Sequence, residues 1–396
     1  MDSEIQPPEN LTANTNVIPQ GPQQDLTPKE PGALHRMFIG PQGLRAGWSV
    51  AIYLSILIGV IEGVQELGKL AQKFSEQSGQ QAIAKGHAAS ESLSPVATIL
   101  GEGVFLAFIV VLTLFIALIE RRNPLEYNLR GPGKTLRFFS GLLAGFVSLS
   151  ALIGGLYLGG WTHFGPVALH GSQVASYAAI WALGFLIVGC TEEGVCRCYL
   201  QFTLNRGGIN FWWALGVVAG LCAILVPQYK NESAWGIWFF AAAGFFPCLG
   251  LYLRDRKQGS FWYAAWATST FFGFVHTSNN GENWIGIFAA AAIGFVFCVS
   301  VYVTGSAWWA IGCHAAWDWA QTFFYGTADS GMAAKGHFLS ASPSGSAFWS
   351  GGTDGPEGSV LVLPAILLIL AIVLVQYGRG KRLETAIQAG SPGLKP

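Results

Sequence analysis

Charge is scarce in this chain. Asp, Glu, Lys and Arg make up 11% of its 396 residues, against about 25% in an ordinary soluble protein. What charge there is cancels, 22 basic residues against 22 acidic. No basic or acidic excess is left to attract nucleic acid, so none is expected as a partner. A disulfide framework is missing too. The seven cysteines, Cys190, Cys196, Cys198, Cys222, Cys248, Cys298 and Cys313, all fall in apolar runs. An odd count in such places reads as small apolar packing residues. Cys196 and Cys198 have no second pair at a zinc spacing. The chain opens on polar residues without the basic-then-apolar pattern of a cleaved leader. It ends Gly393-Leu394-Lys395-Pro396 with no lipidation box. No internal repeat is visible.

Long apolar stretches are what the chain has instead. Apolar residues make up 52% of it, and mean hydropathy is +0.42. A bilayer core needs roughly 20 apolar residues of helix. Ten stretches qualify as candidates: about 47–67, 95–119, 138–159, 176–204, 211–227, 235–253, 260–279, 284–303, 306–325 and 358–378. The expected fold is an all-α polytopic membrane bundle of about ten helices. The expected organisation is a disordered tail over 1–46, then N-terminal spans and a basic loop over 47–138. A core follows over 139–325, a loop on the far side over 326–357, and a last span with a basic tail over 358–396.

Lys and Arg cluster after the second span (Arg121, Arg122, Arg130, Lys134, Arg137), the sixth (Arg254, Arg256, Lys257) and the tenth (Arg379, Lys381, Arg382). With ten spans, all three clusters lie on one side. The positive-inside rule makes that side and both termini cytoplasmic, and the setting expected is a bacterial inner membrane. Residues 72–94 and 326–358 then face the other side and carry no recognisable chemistry.

Charges at membrane depth carry the functional signal. Span four holds Glu192, Glu193 and Arg197. Facing lipid, these three cost about 7–10 kcal/mol on the insertion scale, so they must face protein or a watery cavity. Glu193 and Arg197 are four apart and share a helix face, with the glutamate on the favourable N-terminal side. Glu192 points about one-third of a turn away. Arg197 is therefore expected to neutralise Glu193, leaving Glu192 free for acid–base work. Span seven places Phe272 one turn before His276, and span nine places His314 one turn before Asp318. Asp318 is a candidate to fix the tautomer of His314. Read singly, each group fits a structural salt bridge or a polar helix contact equally well. Together they equip a site to activate water: a base, a second acid–base group and donors for an oxyanion.

At these residues the sequence resembles the CPBP family, the Abi-type intramembrane proteases that include type II CAAX prenyl proteases and bacteriocin-processing proteins. The family pattern is Glu-Glu-x-x-x-Arg, Phe-x-x-x-His and His-x-x-x-Asn or Asp. Here it reads Glu192-Glu193 to Arg197, Phe272 to His276 and His314 to Asp318, in order, within about 141–325. The resemblance implies an endopeptidase acting on a peptide or protein substrate at the bilayer. Glu192 and His276 would activate water, and His314 and Asp318 would stabilise the oxyanion. An ionised Asp318 repels an oxyanion, so its alternatives are to orient His314 or to act protonated. No cofactor is required in this reading. Should a metal bind, Glu192, His276 and His314 are the ligand candidates, with zinc favoured. The competing readings are a transporter or channel using the same buried groups, and a non-catalytic membrane scaffold.

Two features depart from the family pattern or strain the geometry. Two spans intervene between Arg197 and Phe272. At 1.5 Å per residue, Glu192, His276 and His314 lie roughly 18, 24 and 12 Å from the inner ends of their spans. Span seven is therefore expected to tilt or to start below the membrane surface.

Overall fold

The computed structural model describes residues 32–40, 43–77, 92–225, 234–279, 281–329 and 331–388. Helices occupy all ten predicted segments. They are α1 (Ala46–Gln77), α2 (Pro95–Ile119), α3 (Lys134–Leu158), α4 (Ser172–Arg206), α5 (Phe211–Leu225), α6 (Ala234–Arg254), α7 (Gly259–His276), α8 (Trp284–Thr304), α9 (Trp308–Trp319) and α10 (Val362–Gln388). The fold is an all-α polytopic bundle. Among the described residues six helices, α1 to α4, α8 and α10, are long and apolar enough to cross a membrane. Three of the others are weaker for two different reasons. α5 is short, at 15 residues. α7 and α9 are lined with polar and small residues because most of their surface faces protein.

Of the expected tail, residues 1–31 and 41–42 lie outside the described residues. The rest of it carries a short helix, Ala33–Phe38, and a two-residue strand pair, Ile39–Gly40 with Gly43–Leu44. Most of the polar loop expected over 72–94 lies outside them too, and α1 runs on to Gln77.

Local chemistry sets the helix ends that matter. Asn283 caps α8, its side-chain oxygen accepting from the N–H groups of Ile285 and Gly286. Gly305, left-handed at φ 72°, closes it. α4 widens into a π-helical stretch over Gly194–Leu200, directly after its two glutamates. α9 runs into another over Ala320–Tyr325, directly after Asp318. Such insertions are common beside functional sites.

α9 is the central helix, packed against α3, α4 and α8. Its approach to α3 is a backbone contact. A Cβ on Gly141 or Gly145 would sit 2.1 Å from the carbonyl oxygen of Trp309 or Cys313. Small residues four apart are what lets two membrane helices touch this closely. α10 closes one flank against α3 and α8, and α1 and α2 pack outside α4.

The two intervening helices do not separate the motifs. α5 and α6 pack on α7, while α7 also meets the C-terminal part of α4 directly.

The loops sort into two ends. At one end, Ala307 donates to the Asn128 carbonyl, and Arg137 donates to Ser306. Tyr302 reaches Asp255 at this same end. Here lie the basic segments after α2 and α6. At the other end, segment 326–361 is folded. Ala333–Ala334 pairs with Ser92–Leu93, and Ala341–Pro343 pairs with Thr162–Phe164.

Candidate active site

Glu193 is completely buried and bridges two helices. Its Oε1 accepts the Nδ1–H of His314 at 2.9 Å, and its Oε2 lies 3.2 Å from Arg197 Nε. The pairing expected within α4 is present, with a second partner that spacing alone did not reveal. Glu193, not Asp318, engages Nδ1 of His314. Asp318 Oδ2 stands instead 3.5 Å from Nε2, and Glu192 Oε2 is 3.7 Å from the same nitrogen. The reason is geometric. α9 packs on α4 closely enough, across Gly189, that a residue of α4 outcompetes the neighbour one turn along on α9.

This arrangement constrains one proton. With Nδ1–H committed to a carboxylate, an unprotonated Nε2 would point its lone pair at Glu192 and Asp318. The stable arrangements put a proton on Nε2 or on one of those carboxyls.

Arg197 is buried among rings. Its guanidinium carbon lies 4.3 Å from the Phe272 centroid and 5.3 Å from that of Phe297. Neither terminal nitrogen has a hydrogen-bond partner among the described residues, so the ring faces supply electrostatic compensation. Gly294 makes the room, since a Cβ there would come 2.7 Å from Arg197 Nη2. Phe297 also stacks on His314, at 5.8 Å and 25°. Phe297 and Gly294 were not singled out from sequence. Their only signal is position on an apolar helix, which many residues share.

Phe272 packs against His276 at 4.7 Å, and its carbonyl accepts from His276 Nδ1 at 2.8 Å. A carbonyl only accepts, so Nδ1 carries the hydrogen and Nε2 keeps a lone pair when the ring is neutral. His276 is the last residue of α7, and His314 lies in the second turn of α9. The depth mismatch is resolved at α9. That helix starts inside the protein: Ser306, Ala307 and Trp309 are fully buried beneath the basic loop.

Glu192, Phe272, His276, His314 and Asp318 line one cavity of about 260 Å³. Among the described residues no hydrogen bond joins Glu192 to His276, and Glu192 Oε2 is buried without a hydrogen-bond partner. Four further carboxyls line the same space: Glu102 from α2, and Glu282, Asp329 and Glu357 from connecting segments. Glu102 was visible as a charge inside a span. Asp329 and Glu357 lie in a loop that the sequence marked as carrying no chemistry, Glu282 in the short connection between α7 and α8, and the fold brings all three in.

At this outer end the acids crowd each other. Burial, then the charges of Asp354 and Glu357, push Glu282 up to about 9. Burial chiefly pushes Asp354 up to about 7. Burial also raises Asp329 and Glu357. Trp317 donates its indole N–H to Glu357 at 2.8 Å, and the Asn283 amide donates to Asp354 at 3.2 Å.

The metal candidates Glu192, His276 and His314 do not converge. Among the described residues no three His, Cys, Asp or Glu groups are placed to hold an ion. His314 Nδ1 is already committed to Glu193. The residues in this arrangement do not fit a metal, and no step below uses one.

Fold and site together define a multi-pass integral membrane protein with a buried acid–base centre. Residues 249–320 match the family model described as Type II CAAX prenyl endopeptidase Rce1-like, a similarity that supports the resemblance to the CPBP intramembrane proteases. The matched segment contains Phe272, His276, His314 and Asp318. Glu192, Glu193 and Arg197 lie before it, and the fold brings them against it. No curated protein and no solved structure matched.

Proposed function

We propose that the chain is an intramembrane endopeptidase of CAAX type in which Glu192 activates the attacking water. The observation that carries this is the contrast between the adjacent glutamates. Glu193 is held by Arg197 and His314, whereas Glu192 presents an unbonded oxygen in a cavity shared with His276.

In this mechanism water sits between Glu192 and Nε2 of His276. Glu192 takes a proton as the water oxygen attacks the substrate carbonyl carbon. The carbonyl π electrons move to oxygen, and Nε2–H of His314 donates to that oxyanion. Glu193 holds the other His314 nitrogen, so the ring is oriented before substrate arrives. Asp318 acts on His314 and does not contact the oxyanion. Collapse of the tetrahedral intermediate breaks the C–N bond. The leaving amine takes the proton from Glu192, giving one carboxylate and one amine product.

The positive-inside rule makes the end bearing Arg254, Arg256 and Lys257 cytoplasmic. The cavity then lies toward the opposite end, under segment 326–361.

The test is cleavage by the full chain in liposomes, on quenched peptides with and without a prenylated cysteine. Prenyl-dependent cleavage that survives chelation and is lost in Glu192→Gln is expected, with no stoichiometric metal by mass spectrometry. Proton-driven ion flux without cleavage would overturn the protease reading in favour of a transporter.

A further inference from the structure

A second, larger cavity of about 860 Å³ lies between α6, α7, α8 and α10. It is separate from the acid–base cavity. α8 divides the two, with Ala290 and Ile293 lining the small one and Ala292 and Phe295 the large one. No residue assigned a role in hydrolysis lines it.

Three features define what would fill it. First, its walls are mainly apolar, formed by residues such as Leu251, Phe295 and Leu370. Second, two indoles in its wall lack partners. Trp262 and Trp266 are 1% and 3% exposed, and neither Nε1–H has an acceptor among the described residues. A buried donor left unpaired is costly, so the occupant should bring acceptor oxygens as well as hydrocarbon. Third, Arg254 lines the basic end, next to Asp255, whose carboxylate accepts from Tyr302. Arg254 is exposed there, as are Arg256, Lys257 and, beyond Gly378, Arg379.

We infer that this cavity binds one anionic diacyl phospholipid. Its phosphate sits at the basic rim, where clustered Lys and Arg favour acidic lipid. Trp262 lies in the first turn of α7, one turn below that rim, at the level of a glycerol ester carbonyl. Trp266 lies a turn deeper, about 5 Å further in. One acyl chain runs between α6 and α8. A free isoprenoid or alkane supplies no acceptor for the indoles and no charge for the rim. The site is independent of the proteolytic reading.

The test is native mass spectrometry of the full chain, delipidated in mild detergent and titrated with phosphatidylglycerol or phosphatidylcholine of matched chains. One tightly retained phosphatidylglycerol, preferred at least tenfold, is expected. Gly250 lines the cavity, and a Cβ there meets nothing within 4 Å. Gly250→Phe therefore fills the groove and should abolish retention. Arg254→Gln should remove most of the headgroup preference. Trp262→Phe keeps the shape, deletes one donor and should weaken retention several-fold, which tests the site even if Gly250→Phe does not fold. Equal retention of both lipids, no retention by wild type, or displacement of the lipid by a prenylated peptide would overturn the assignment.

Discussion

Two buried clusters in this bundle use the same chemistry, glutamate with arginine, and leave their carboxylates in different states. Glu120, at the end of α2, has both oxygens engaged. Ser49 and Arg206 donate to Oε1 at 2.5 and 3.0 Å, and Tyr127 donates to Oε2 at 3.4 Å. Arg122 adds an ion pair at 3.4 Å. That cluster ties α1, α2 and α4 together. The cluster around His314 is left incomplete. Glu192 Oε2, Glu193 Oε2 and both terminal nitrogens of Arg197 are buried without hydrogen bonds, at a cost of about 1–3 kcal/mol for each such group. A charge network that only joins helices can satisfy its carboxylate, as Glu120 shows, even where Arg122 Nε and Arg206 Nη1 lack hydrogen bonds. On the proposed reading, one that keeps its carboxylate oxygens unsatisfied beside a cavity receives water and substrate.

The sharpest way to break this comparison is to neutralise one carboxylate in each cluster without changing its shape. Glu192→Gln should lower turnover by about 10²–10⁴-fold, the usual worth of a general base, and leave the melting temperature unchanged. Glu120→Gln should do the reverse. It leaves Arg206 and Arg122 short of a buried countercharge, which costs about 3–5 kcal/mol of stability, while turnover per folded molecule stays the same. Thermal unfolding in detergent alongside initial rates distinguishes them. A Glu192→Gln protein that melts early and cleaves normally would reverse the assignment.

The two clusters also differed in what the sequence showed. Glu192, Glu193 and Arg197 stood out because three charges inside an apolar span demand an explanation. Glu120 borders the basic loop, where charge is ordinary, and nothing local marks it as buried. The helices were legible for a similar reason, since apolar length is a local property. What stayed hidden depends on which helices touch. That Glu193 engages His314 follows from the backbone contact between α4 and α9. That Asp329 and Glu357 reach the cavity, beside Glu282 from the connection between α7 and α8, follows from the folding of segment 326–361. That α9 starts inside the protein, and so lifts His314 to the level of His276, depends on the loop beneath it. Periodicity along one chain segment carries none of these.

A smaller effect tests how the incomplete cluster holds its cation. Arg197 rests against Phe272 at 4.3 Å, and a desolvated cation–π contact is worth about 2 kcal/mol. Phe272→Leu keeps apolar volume and removes the ring, so stability should fall by about that amount. Turnover should fall as well, because the same ring packs against His276 at 4.7 Å. Phe297→Leu, with the ring at 5.3 Å, should cost less. Equal stability of both variants and wild type in thermal melts would show that the rings only fill space.

The smallest effect separates the acids at the cavity's outer end from both clusters. Glu282 is raised from an ordinary 4.5 to about 9, and Asp354 from 3.8 to about 7. Each therefore binds protons more readily folded than unfolded. For such a group the folded state gains stability that is fully present below the unfolded value and lost as pH rises through the folded one. Melting temperature should thus decline between about pH 4 and 9, most steeply below 7, where both groups still hold their protons in the folded state, and more gently above 7, where Asp354 has already ionised. Glu282→Gln removes one of the two groups and should flatten the upper part of that decline, while Glu120→Gln should leave its slope unchanged. A wild-type melting temperature that rises over the same range would mean that these carboxylates are solvated, and that segment 326–361 does not close the cavity.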